Sequence, residues 1–169
     1  MNTNKDYEKH WINIVKVNGS LLEYIDDQTV DICKAAVKQN GLAIKHVKEQ
    51  TPELCELAVR QNCFAIQFIH NPTPDLYEIA VRANGNALQY IKDQTPDICL
   101  LAVSEHGYAL QYVKEQTHDI CLAAVKQNPF ALEYVQNQSK MVCLVATRKN
   151  IASVKYIRDP EVRRYVLSD

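Results

Sequence analysis

The stretch TPDICLLAVSEHGYALQYVKEQ, residues 95–116, decides the fold. Thr95 can accept a hydrogen bond from an unpaired backbone N–H at a helix start. Pro96 follows at the first helical position, where a missing N–H costs nothing. Asp97 then sets a negative charge against the helix dipole. Ile98, Cys99, Leu101, Ala102 and Val103 make an apolar stripe at helical spacing. His106-Gly107 ends that helix, and a second one carries Ala109, Leu110, Tyr112 and Val113. The pattern predicts helices of about ten and about eight residues, each too short to be stable alone.

Outward from this segment, the same pattern recurs every 22 residues. Thr29, Thr51, Thr73, Thr95, Thr117 and Ser139 share the cap slot. Ala36, Ala58, Ala80, Ala102, Ala124 and Ala146 share a slot where a small side chain lets helix axes approach. A fixed period of this length marks a solenoid whose units bury their apolar faces against neighbours. The expected fold is all-α, an α-solenoid of about seven helix-turn-helix repeats. Residues 1–28 read as a degenerate capping repeat, 29–160 as six tandem repeats and 161–169 as a capping helix, within a single solenoid domain. Strict two-residue alternation is absent, and the Thr-Pro-acid caps favour helix over strand.

The chain of 169 residues has a formal net charge of -1, which gives no global pull toward nucleic acid or acidic membrane. No apolar run approaches the roughly 18 residues of a membrane span. The opening Met1-Asn2-Thr3-Asn4-Lys5-Asp6 has no apolar core, so no secretory leader is expected. Cys33, Cys55, Cys99, Cys121 and Cys143 occupy one repeat slot, which suggests small buried residues rather than disulfides. Free thiols suit a reducing, intracellular compartment. Cys63 falls in a turn slot, where it would be exposed.

Two columns are candidates for binding. Lys38, Arg60, Arg82, Lys126 and Arg148 form a basic ladder in the last turn of the first helix. Cations there complement the helix C-terminus and could also meet an acidic partner. Tyr90, Tyr112 and Tyr134 belong to an aromatic column that could serve as a docking or stacking edge, or simply pack between helices. Gln28, Gln50, Gln94, Gln116 and Gln138 could bridge successive turns by hydrogen bonds. Asn40, Asn62, Asn84, Asn128 and Asn150 are expected in left-handed turn conformations. Five scattered histidines form no triad or metal motif, so neither catalysis nor a metal or cofactor is expected.

The run Thr-Pro-Asp-Ile-Cys-Leu-Leu-Ala-Val, followed by Tyr-Ala-Leu-Gln-Tyr-Val-Lys-Glu-Gln, resembles a family of short repeats associated with giant DNA viruses and catalogued as a domain of unknown function. The resemblance covers Asp31 to Arg158 most clearly. It implies a viral origin and an intracellular setting, host cytoplasm or virion, but brings no activity or site residues.

The leading expectation is a non-enzymatic scaffold for an unidentified protein partner, with no membrane role. The runner-up is single-stranded nucleic-acid binding, with bases on the aromatic column and phosphates on the basic ladder. A third reading is a structural protein that self-associates. As to oligomeric state, the chain would be a monomer or an end-to-end homodimer.

Overall fold

The computed structural model describes residues 3–168. It is all-helical, with no strand among the described residues. Eight α-helices are described: α1 (Thr3–Val17), α2 (Val30–Gln39), α3 (Pro52–Gln61), α4 (Pro74–Ala83), α5 (Pro96–Glu105), α6 (His118–Gln127), α7 (Lys140–Lys149) and α8 (Pro160–Ser168). Between them lie seven short 3-10 helices: η1 (Gly19–Tyr24), η2 (Gly41–His46), η3 (Cys63–Phe68), η4 (Gly85–Tyr90), η5 (Gly107–Tyr112), η6 (Pro129–Tyr134) and η7 (Ile151–Tyr156). The repeat unit is therefore one α-helix and one 3-10 helix, and the fold class is an α-solenoid of repeats.

The chain divides into two compact units, one ending at Ala83 and one starting at Asn84. In the first, α1 to α4 pack in sequence as one layer and η1 to η3 as another. In the second, α5 to α8 form the α layer and η4 to η7 the 3-10 layer. The capping helix expected over 161–169 is α8; Asp169 lies outside the described residues, as do Met1 and Asn2.

The α-helices start as their sequence dictates. The Thr95 hydroxyl accepts from the Ile98 N–H, and Thr29, Thr51, Thr117 and Ser139 cap their helices in the same way. The Ala column is fully buried, with Ala36, Ala58, Ala80, Ala102, Ala124 and Ala146 all at 0% exposure. That exposure decides that no larger side chain fits there without movement.

The second helix differs from the expectation. It is six residues long and of 3-10 type, and Val113 follows it in extended conformation. The Asn column is not left-handed either: among the described residues no φ is positive. Asn18, Asn40, Asn62, Asn84, Asn128 and Asn150 are extended, and each side-chain oxygen accepts the N–H two residues on. Each of these Asn residues is the N-cap of a 3-10 helix. Its own carbonyl accepts the N–H three residues on, as Asn40 does from Ala43 at 2.9 Å.

Glycine in the next slot is likewise not a matter of dihedral freedom. A Cβ on Gly41 would stand 2.5 Å from the Ala58 carbonyl oxygen, and one on Gly107 2.7 Å from that of Ala124. The 3-10 helix thus starts almost in contact with the backbone of the next α-helix, and Gly permits that approach.

Candidate functional site

A clamp between repeats positions the aromatic column. Gln116 Nε2 donates to the Leu110 carbonyl at 3.2 Å and to the Tyr134 carbonyl at 3.0 Å. Its Oε1 accepts the Gln136 N–H at 2.9 Å and faces the Cys121 thiol at 3.7 Å. Gln94 makes the same set with Leu88, Tyr112, Lys114 and Cys99. Gln28, Gln50 and Gln138 repeat the amide pattern. The bridging expected of the glutamine ladder is thus present. Pro72 stands in the same slot and has no side-chain amide to offer.

A second clamp was not among the sequence expectations. Gly19, Gly41 and Gly107 donate their N–H groups to Gln39, Gln61 and Gln127. Gly85 donates instead to His106 Nδ1 at 3.0 Å. Pro129 has no N–H to satisfy, and the matching clamp position holds Lys149, whose ammonium reaches the Gln127 carbonyl at 2.9 Å. The 22-residue steps from Gln39 to Gln61 and from Gly19 to Gly41 could have revealed it.

The clamps hold Tyr112, Tyr134 and Tyr156 by their carbonyls at the ends of successive 3-10 helices, half-buried, while Tyr90 is 37% exposed. Tyr108 meets Tyr134 edge to face with ring centroids 5.9 Å apart. One repeat later Phe130 meets Tyr156 in the same way at 6.3 Å. Lys155 lies over the Tyr156 ring at 4.8 Å and near the Phe130 ring at 5.9 Å. Partial burial, then the Glu133 charge and the neighbouring tyrosines, raise the Tyr134 hydroxyl above the usual tyrosine range. In the first unit the equivalent sequence positions hold Tyr24, His46 and Phe68, and Tyr24 is far more exposed than the other two.

The basic ladder lies elsewhere. Lys38, Arg60, Arg82, Lys126 and Arg148 are exposed on the α-helices, in the layer that does not carry the tyrosines. Arg60 pairs with Glu56 and Arg82 with Glu78, each at 2.8 Å within its own helix. The Lys38 charge contributes to lowering the Glu53 carboxyl, after the larger effect of the Lys34 contact at 2.5 Å. The ladder thus stands on the α-helices of each unit, and the tyrosines on its 3-10 helices. A further basic slot is used internally: Lys48 and Lys114 donate to the Asp26 and Lys92 carbonyls.

Cys33, Cys55, Cys99, Cys121 and Cys143 are buried free thiols, as their slot suggested. Cys63 is half-buried rather than open, and burial pushes its thiol up as well. Shallow cavities recur beside the glutamines at the repeat step. One of about 310 Å³ is lined by Gln50, Cys55, His70 and Asp75, and one of about 290 Å³ by Gln94, Cys99, Lys114 and Glu115. Among the described residues no group of His, Cys, Asp and Glu could hold a metal ion. Among the described residues no helix is long and apolar enough to cross a membrane.

A family model described as a domain of unknown function, DUF4116, matches residues 29–73 and 95–138. The two matches cover just over half of the chain, and the chain belongs to that family. No curated protein and no solved structure matches it with significance.

Proposed function

We propose that this member of the DUF4116 family is a non-enzymatic repeat scaffold that docks another protein along the tyrosine column of its 3-10 layer. One observation carries the reading: Tyr112, Tyr134 and Tyr156 recur in register, each anchored by a glutamine of the preceding repeat and only partly buried. Half-exposed aromatic rings on a rigid frame give large contact area at small entropic cost. On the α layer, Arg60 and Arg82 of the basic ladder already hold a carboxylate of their own helix.

The setting is the interior of a cell infected by a large DNA virus, a reading supported by the sequence resemblance and by six free cysteines. The test is a pull-down from host lysate, with and without nuclease. The baits are the wild type, a Tyr112→Ala/Tyr134→Ala variant and a Lys38→Glu/Arg60→Glu/Arg82→Glu/Lys126→Glu variant. A nuclease-resistant protein lost only with the tyrosine variant is the expected result. Recovery of RNA or DNA that disappears with nuclease would replace this reading with nucleic-acid binding. A partner lost only with the charge-reversed variant would move the site to the α layer.

A further inference from the structure

The tyrosine strip of the second unit has a repeat distance, a charge and a set of free donors that together specify an occupant. Packed helices generally lie about 8–10 Å apart, which sets the order of the step between equivalent positions on successive 3-10 helices. A polyproline II segment advances about 9 Å in three residues, its own period. The edge-to-face pairs Tyr108–Tyr134 and Phe130–Tyr156 are the same arrangement one repeat apart, so the strip offers two equivalent seats in register.

Charge narrows the choice. The 3-10 positions directly before the tyrosines are Gln89, Gln111, Glu133 and Lys155. One acid and one base cancel, and Lys155 is already laid over aromatic rings. The strip thus presents no net charge for phosphates, for an acidic peptide or for a basic one. An uncharged extended segment is the complementary partner.

The hydroxyls complete the fit. Those of Tyr112, Tyr134 and Tyr156 make no hydrogen bond to another described residue, whereas their backbone carbonyls are held by glutamines. A polyproline II backbone makes no internal hydrogen bonds and exposes its carbonyls, which accept from such hydroxyls. We propose that the tyrosine strip of the second unit binds a proline-rich segment in the polyproline II conformation, one turn per repeat. This rests on the scaffold reading and names the chemistry of its partner.

Fluorescence anisotropy with a labelled proline peptide of about twelve residues, long enough to span three repeats, tests the proposal, with a Gly-Ser peptide of equal length as reference. Saturable binding of the proline peptide alone is expected, little changed by added salt. Tyr112→Phe/Tyr134→Phe keeps the rings and removes two donors, so affinity should fall about tenfold. Arg60→Glu, on the α layer, should leave it unchanged. The proposal is overturned by no saturable binding, by equal binding of the Gly-Ser peptide, by a steep loss with salt or by affinity unchanged in the Phe variant. If the proline peptide fails while the Tyr→Ala variant still loses its lysate partner, the proline assignment falls and the scaffold reading stands. If lysate capture survives the Tyr→Ala variant, the scaffold reading falls, and the peptide result decides the proline assignment separately.

Discussion

Gln116 Nε2 donates to the carbonyl oxygen of Tyr134, 3.0 Å away and eighteen residues further along the chain. The same amide group holds Leu110 of its own repeat and Gln136 of the next. One side chain thus satisfies backbone groups on both sides of a repeat junction. Replacing Gln116 with Leu keeps much of the volume but orphans these partly buried groups. The expected loss is about 2–4 kcal/mol, read from the urea midpoint at unchanged m-value. A loss below about 0.5 kcal/mol would mean that water replaces the clamp without cost.

Gly107 tests a close approach rather than a dihedral. Its N–H donates to Gln127 Oε1 at 2.8 Å, and an added Cβ would lie 2.7 Å from the Ala124 carbonyl. Gly107→Ala should cost about 1–3 kcal/mol, seen as a lower Tm. Its φ is not positive, so the whole penalty comes from overlap between repeats. An unchanged Tm would show that the two backbones can separate freely.

Ser153 follows Ala43, Ala65, Ala87, Ala109 and Ala131 in a second buried column, and its hydroxyl has no partner among the described residues. A buried hydroxyl without a hydrogen bond destabilises the folded state. Ser153→Ala should therefore raise stability by about 1 kcal/mol. A drop in the denaturation midpoint would point to a bonded hydroxyl.

The thiols predict a loss of stability at alkaline pH. Burial, reinforced by the Asp159 charge, pushes the Cys143 thiol up to about 11, above the usual thiol value of about 8.5. Between those values the unfolded chain ionises while the folded protein keeps its proton. Stability is fully present below the lower value and falls as pH rises through the window. Cys143→Ala should flatten the decline of the urea midpoint between neutral and alkaline pH. The same decline in wild type and variant would exclude Cys143 as its source.

Arg60 and Glu56 form an exposed pair one helical turn apart. Such pairs contribute about 0.3–0.5 kcal/mol. Arg60→Ala should shift the denaturation midpoint by no more than that. A cost above about 1 kcal/mol would show that the basic ladder has a structural role beyond local pairing.

Much of the α layer was legible in local chemistry. Thr95, Pro96 and Asp97 mark a helix start by capping, fixed φ and dipole, none of which needs a distant partner. The Ala and Cys columns followed from the 22-residue period, because a residue that recurs in a stack meets the same surroundings each time. The 3-10 helices were not legible. Ala109, Leu110 and Val113 stand at spacings that also suit an α-helix, so the apolar pattern could not separate the two. The donor to the Tyr112 carbonyl and the acceptor for the Gly107 N–H come from other repeats, and they favour the tighter helix with its extended exit.

The candidate site divides in the same way. The tyrosine column was visible as a column, but its partners Tyr108 and Phe130 sit in a different slot and meet it only across a repeat junction. The aromatic slots recur at one period, and nothing in that period says which ring of one repeat meets which ring of the next. By itself the sequence determined the repeat, the α-helix starts and the small residues at the junctions, because these depend on local caps and on translation along the chain. Only tertiary structure decided the 3-10 helices, the extended Asn caps, the clamps on the glycine N–H groups and the aromatic pairs across repeat junctions. Those features depend on which backbone groups the next repeat leaves for a side chain to satisfy.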